Sequence, residues 1–169
     1  MTRYVALLRA VNVGGTGKLP MSDLVALCQA AGFSDARTYI ASGNVVLSSG
    51  RSEAEVKMAL EAQLEAYAGK PVGVLVRSGE EMAAVAAANP FNAAPGNRVT
   101  AIFLDAAPPP DALEHAAGVA SEVMALGLRE IYVRYDDGIA DSKLRIPAAK
   151  AGTARNMNTV LKLAQMARG

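Results

Sequence analysis

Apolar and polar positions change period several times along this chain, and each change marks an element. Residues 3–9, Arg-Tyr-Val-Ala-Leu-Leu-Arg, are a short apolar run of the kind buried in a sheet. Residues 10–19 interrupt it with Gly14, Gly15 and Gly17, which tolerate positive φ. After Pro20 the period turns helical through Leu24, Leu27, Cys28 and Ala31, and Gly32 is placed to end that helix. Residues 36–41 and 44–49 read as two strands joined by a tight Ser42-Gly43-Asn44 turn. Ser52-Glu53-Ala54-Glu55 has the form of a capping box, and Val56, Leu60, Leu64 and Tyr67 line one face of the helix behind it. Residues 71–77 supply another strand, giving βαββαβ, the order of a ferredoxin-like split unit.

The second half repeats much of this grammar. Ser78-Gly79-Glu80-Glu81 is a second capping box, opening a short helix with Met82, Val85 and Ala86 on its apolar face. Asn89-Pro90 ends that helix, because the residue before proline is pushed out of the α region. Residues 98–104 predict a strand. Pro108 to Pro110 form a stiff connector, and 111–126 predict a helix with Leu113, Ala116, Ala120, Val123 and Met124 inward. A strand is expected over 130–135, a hairpin turn at Asp137-Gly138, and a returning strand from Ile139 and Ala140. Residues 141–155 are polar and irregular. Asn156 then caps a last helix with Met157, Val160, Leu161 and Ala164 on its buried face. The expectation is an α+β fold with a ferredoxin-like subdomain over 1–78, a linking helix and loop over 79–97, and a second ferredoxin-like subdomain, βαββα, over 98–169.

Composition narrows the class. The chain has 169 residues, room for one domain or two small ones sharing a core. It is 51% hydrophobic and 20% charged with no Trp, so Ala, Leu and Val must carry the packing. Cys28 is the sole cysteine, which excludes an intrachain disulfide and fits a reducing compartment. No apolar run approaches the ~20 residues of a membrane helix, and the first residues do not resemble a signal peptide. The expected location is the cytoplasm, with no membrane partner. His115 and Cys28 are the only residues of their kinds, too few for an ordinary zinc site, so neither a metal nor another cofactor is expected.

Charge changes the picture more. The net charge of +1 conceals an uneven distribution. Residues 1–141 hold 11 basic and 16 acidic side chains, whereas 142–169 hold Lys143, Arg145, Lys150, Arg155, Lys162 and Arg168 with no acid. This segment either faces an anion or pairs with the chain's own acidic surface.

Several motifs run together in order: Leu7-Leu8-Arg9-Ala10-Val11-Asn12-Val13-Gly14-Gly15, Tyr39-Ile40-Ala41-Ser42-Gly43-Asn44-Val45, Asn89-Pro90-Phe91, Asp137-Gly138-Ile139, Ser142-Lys143-Leu144 and Arg155-Asn156-Met157-Asn158-Thr159-Val160. Together they resemble the bacterial DUF1697 family, a domain family of unknown function, over nearly the whole chain. Two positions depart from its usual pattern: Ala10 stands where the family has Gly, and Met157 where it has Trp. If the family's Trp stacks on a ligand, that stacking is lost here; if it is a core residue, Met is an easy replacement because it fills irregular apolar space. The resemblance implies ferredoxin-like α+β subdomains and no established activity.

Candidate chemistry follows from three clusters. Gly14, Gly15, Gly17 and Lys18 resemble a phosphate loop, but Asn12 stands where its first Gly belongs, Leu19 replaces its Ser/Thr, and Pro20 replaces the third Gly of the dinucleotide pattern. Backbone N–H groups and a lysine ahead of a helix can still hold an anion, although glycines that merely turn the chain are the plainer account. Arg9, Asn12 and Asn44 share one sheet end if the first and third strands pair; an arginine fork suits a carboxylate or phosphate, while turn asparagines often bond their own backbone. Ser142, Lys143, Arg155, Asn156, Asn158, Thr159 and Lys162 surround a helix start, a place that favours phosphate or is simply capped and solvated.

No catalytic residue stands out. Ser142 and Lys143 are sequence neighbours and not a nucleophile with its base, and the lone His115 offers no relay. The expected function is binding of a phosphate-bearing ligand, a nucleotide or nucleic acid, in a basic cleft between the two subdomains. Arg9, Lys18, Lys143, Arg155 and Lys162 would supply charge; Asn12, Asn44, Asn156 and Asn158 would orient; Gly14, Gly15 and Ser142 complete the set. The alternatives are a metal-independent enzyme acting on a small anion, and a structural or protein-interaction module.

Overall fold

The computed structural model describes residues 1–9 and 18–168. Among these, two four-stranded antiparallel sheets carry four α-helices, an α+β architecture. The chain divides into two units, Met1–Ala83 with Leu163–Gly169, and Ala84–Lys162.

The first unit contains β1 (Thr2–Leu8), α1 (Met21–Ala30), β2 (Arg37–Thr38), β3 (Asn44–Ser49), α2 (Glu53–Ala68) and β4 (Val74–Ser78). The strands lie in the order β2-β3-β1-β4. Tyr4, Ala6 and Leu8 of β1 share a core with Val45, Leu47, Val74 and Val76, and with Leu24, Cys28, Val56, Leu60 and Leu64 of the two helices. Each Val or Leu among them contributes about 1.5–3 kcal/mol when fully buried. The alternate residues Val5, Leu7, Val46, Leu75 and Arg77 are buried as well. Both faces of the sheet are therefore covered, which is why β1 reads as a continuous apolar run and not as an alternation.

Local chemistry fixes the boundaries. Ser52 and Glu55 form the expected capping box, the Glu55 N–H donating to Ser52 Oγ (3.2 Å) and the Ser52 N–H to Glu55 Oε1 (3.0 Å). Gly69 ends α2 with φ 73°. Tyr67, expected inward, is 46% exposed, and its hydroxyl donates to Asp23 Oδ2 at 2.7 Å. At the sheet edge, Val74 donates its N–H to Glu61 Oε2 (3.0 Å) and accepts at its C=O from Lys57 Nζ, with Lys57 and Glu61 paired at 3.0 Å. The end of the chain is tied here too. Arg37 donates to the Met166 carbonyl at 2.9 Å, and a Cβ on Gly79 would stand 2.6 Å from the Ala167 carbonyl.

α3 (Gly79–Ala87) opens with the second capping box, Ser78 N–H to Glu81 Oε1 at 2.9 Å and Glu81 N–H to Ser78 Oγ at 3.1 Å. The second unit then carries β5 (Val99–Phe103), β6 (Val123–Leu126), β7 (Glu130–Arg134), β8 (Thr153–Asn156) and the start of α4 (Met157–Met166), in the sheet order β6-β7-β5-β8. Its core joins Leu104, Ile131, Val133, Tyr135 and Ile146, with Leu113, Met124 and Leu144 packed against them.

Three expectations are corrected in this half. The helix over 111–126 does not form: a 3₁₀ turn spans Ala112–His115, and Val123–Leu126 is a strand. Gly118 stops helix propagation with φ +70°, and a Cβ there would lie 2.1 Å from the Lys143 carbonyl. Ala117 meanwhile exchanges both backbone hydrogen bonds with Arg145 at 2.8 Å, so a contact distant in sequence overrides the local period. Ile139 and Ala140 begin no strand. Gly138 N–H to Tyr135 C=O (3.0 Å) and Ser142 N–H to Ile139 C=O (3.1 Å) make successive turns, while β7 is flanked by β6 and β5. On α4, Met157, Val160 and Ala164 are buried as expected, but Leu161 is 54% exposed and Leu163 is buried instead.

Candidate functional site

In the first unit, β1 and β3 pair with Leu7 opposite Asn44, which places Arg9 and Asn44 at one end of the sheet. Arg9 donates its backbone N–H to Gly73 C=O at 2.9 Å and lays its stem over Gly73, where a Cβ would meet Arg9 Cδ at 3.0 Å. Asn44 is wholly buried. Its Nδ2 donates to the Tyr39 carbonyl (2.8 Å) and to Ser42 Oγ (2.9 Å), and its own carbonyl accepts from Tyr39 N–H (3.1 Å). These bonds hold a loop that contains two left-handed residues, Ile40 at φ 51° and Gly43 at φ 86°. Both donors of the amide thus serve the loop. Lys18 is exposed ahead of α1. Asn12, Gly14 and Gly15 lie outside the described residues.

In the second unit, Asn156 caps α4, its Oδ1 accepting the Thr159 N–H at 3.0 Å. Arg155, on β8 opposite Ala101, is 7% exposed. Its Nη1 donates to Thr153 Oγ1 (2.8 Å) and to the Ala154 carbonyl (2.9 Å), and burial pushes its guanidinium down to about 10. Asn158 is exposed and its Oδ1 rests against Gly96, where a Cβ would come within 2.1 Å. Lys162 stands exposed one turn further along the same face.

Ser142 and Lys143 belong elsewhere. The Ser142 hydroxyl donates to Glu122 Oε2 at 2.5 Å, and Glu122 also accepts the Ala120 N–H at 2.7 Å. The Ser142 hydrogen bond, then the Ala120 one, holds the Glu122 carboxyl below the usual glutamate range. Glu122 leads into β6, one edge of the sheet, whereas Arg155 and Asn156 lie on β8, the other. With β7 and β5 between them, three strand spacings or about 14 Å separate the two edges. The Ser142 flank is also acidic, with Ser121 Oγ donating to Asp137 Oδ2 at 2.6 Å. These hydroxyl–carboxylate pairs join residues 16 and 20 apart, and nothing local in the sequence announces them.

Charge pairing answers a question the sequence leaves open. Among the described residues, Lys143, Arg145, Lys162 and Arg168 are exposed and form no ion pair. No group of three His, Cys, Asp or Glu able to hold a metal gathers among them either. His115 is exposed beside Asp111 Oδ2 at 3.1 Å, and burial pushes the Cys28 thiol up to about 11. Among the described residues no helix is long and apolar enough to cross a membrane.

A family described as "Protein of unknown function (DUF1697)" matches residues 1–132. The conserved bacterial protein SP0830 from Streptococcus pneumoniae has a similar solved structure, with a TM-score of 0.79 and 24% identity over 99% of each chain. At that identity the likeness speaks to fold alone. No curated protein matches the chain.

Proposed function

Because the chain belongs to the DUF1697 family, whose function is unknown, a function must be argued from its own residues, and we propose that it binds a phosphate-bearing ligand, a nucleotide or nucleic acid, through its basic final segment. The observation that carries this reading is the exposure of Lys143, Arg145, Lys162 and Arg168 without an acidic partner among the described residues. Cations balanced by the chain's own carboxylates would gain little from an incoming anion; unpaired ones can neutralise phosphates and so release the counterions condensed on a nucleic acid. In the second unit, Lys162 and the Asn158 amide flank the first turn of α4, whose N–H groups add partial positive charge. Arg155 and Asn156 build and cap that turn from behind, and act as positioning residues. Ser142 stands apart, since its hydroxyl already serves Glu122.

The scaffold we propose for the first unit is ferredoxin-like. That reading is supported by its element order, its strand order β2-β3-β1-β4, and the side chains of both helices in one core with one sheet face.

The test is anisotropy of a labelled single-stranded oligonucleotide, titrated with protein at several salt concentrations. Affinity should fall with salt at a slope of about −0.7 per phosphate neutralised. The triple variant Lys143→Glu, Arg145→Glu, Lys162→Glu should weaken binding at least tenfold at low salt and flatten the slope by about two units. Absence of binding to oligonucleotide and nucleoside triphosphate at low salt, or equal binding by the triple variant, overturns the proposal.

A further inference from the structure

Among the described residues, the outer edge of β6 is an undefended strand edge. Val123-Met124-Ala125-Leu126 carries no charge, and Val123 and Leu126 are each 37% exposed, with Leu128 beyond them 85% exposed. Edge strands usually carry a charged or covered guard. β4 has one in the Lys57–Glu61 pair that takes up both backbone groups of Val74. β6 has none.

The ladder fixes which backbone groups are on offer. Gly127 N–H donates to Glu130 C=O at 2.7 Å, so Gly127 and Glu130 are a hydrogen-bonded pair. With β6 and β7 in register from Leu126↔Ile131 to Val123↔Arg134, alternation turns Ala125 and Val123 toward β7. The N–H and C=O groups of Met124 and Leu126 therefore point away from the sheet. Among the described residues nothing donates to them or accepts from them.

We propose that this edge pairs with the same edge of a second copy, antiparallel, about a two-fold axis through Ala125. What selects a second copy is the self-complementary register. Met124 of one protomer faces Leu126 of the other, and Leu126 faces Met124, so all four outward groups on each strand are satisfied by four hydrogen bonds. Ala125, the smallest side chain of the strand, meets its own copy on the axis, and no charged side chain of the strand meets a like charge. The two four-stranded sheets then form one of eight. A strand of four residues buries less than the ~1,200 Å² of a stable interface, so the dimer is weak and concentration-dependent.

Sedimentation velocity on the full chain should show the weight-average mass moving from one protomer toward two as concentration rises from about 10 µM to about 1 mM. Ala125→Lys should abolish that rise by setting two lysines directly opposite each other, their Cβ atoms about 5 Å apart, and an equimolar mixture with Ala125→Glu should restore it. Ala125→Cys reads the register directly: residues on the axis form a non-hydrogen-bonded pair close enough for a disulfide, so mild oxidation should give a covalent dimer. Val123→Cys, opposite Gly127 of the other copy, should not, and Cys28 is buried in both variants. If Ala125→Lys fails to fold by circular dichroism, the cysteine pair still decides. A wild-type chain that stays monomeric at the highest concentration, a dimer indifferent to Ala125→Lys, or equal crosslinking by both cysteine variants overturns the proposal.

Discussion

Replacing Asn44 by alanine separates a ligand group from a structural one. The side chain is wholly buried and spends both amide hydrogens inside the protein, on Tyr39 O at 2.8 Å and Ser42 Oγ at 2.9 Å. Two hydrogen bonds at about 1 kcal/mol each, with about another 1 kcal/mol for the buried atoms removed, put the cost of Asn44→Ala near 3 kcal/mol. The loop it braces also holds Ile40 at φ 51°, a strained state that needs such bracing. In urea, with a slope of about 2 kcal/mol per molar, the midpoint of the far-ultraviolet dichroism transition should drop by about 1.5 M. Asn44→Asp should cost more at pH 7, because a carboxylate cannot donate to the Tyr39 carbonyl. Burial and that carbonyl would raise its folded-state pKa above the unfolded value, so the aspartate variant should regain stability as pH falls and lose it as pH rises. A midpoint within about 0.3 M of wild type, together with loss of oligonucleotide binding, would refute the structural assignment and make Asn44 a ligand residue.

Three further outcomes follow from the geometry. Gly118→Ala should destabilise the chain by at least ~3 kcal/mol, since its Cβ would stand 2.1 Å from the Lys143 carbonyl at φ +70°, whereas Gly138→Ala, at φ +84° with nothing within 4 Å, should cost only about 1 kcal/mol; thermal unfolding of the two variants compares them. Glu122, held down first by Ser142 and then by Ala120, lends stability that is present above the ordinary glutamate pKa and is lost as pH falls through its lower folded value; carboxyl NMR titration in Ser142→Ala should move Glu122 back toward the ordinary range, and an unmoved titration would contradict the bond. Cys28, fully buried with its thiol pushed up to about 11, should resist a disulfide reagent at pH 8 until the chain is unfolded in denaturant, and prompt reaction in the native state would be inconsistent with its burial.

What could be read from sequence was what residues three or four apart decide. Both capping boxes form as the Ser-x-x-Glu spacing predicts, and Asn156 caps α4 because a side-chain oxygen ahead of a helix has its acceptor role fixed locally. The first unit's elements follow in the expected order, although the strand expected over 36–41 shrinks to Arg37–Thr38. Residues 111–126 failed for the opposite reason. Their alanines and leucine keep a helical period, but Gly118 is fitted to a carbonyl 25 residues away, and Val123–Leu126 becomes a strand only because β7 exists to pair with it. Gly118 was the available warning inside that run. The candidate site divides the same way. Asn156 was legible as a cap. The Ser142–Glu122 bond and the buried state of Arg155 depend on strands brought together from distant parts of the chain, and no local pattern encodes them.

One consequence concerns the order in which the chain is made. The unit that begins at Met1 is finished by residues beyond Leu163, where Arg37 finds the Met166 carbonyl and Gly79 its close neighbour at Ala167. A ribosome releases those residues only after every part of Ala84–Lys162 has emerged, so the portion translated first is completed last. Until then the guanidinium of Arg37 has not met that carbonyl, and a nascent chain stalled before Leu163 would expose the gap to chaperones and proteases.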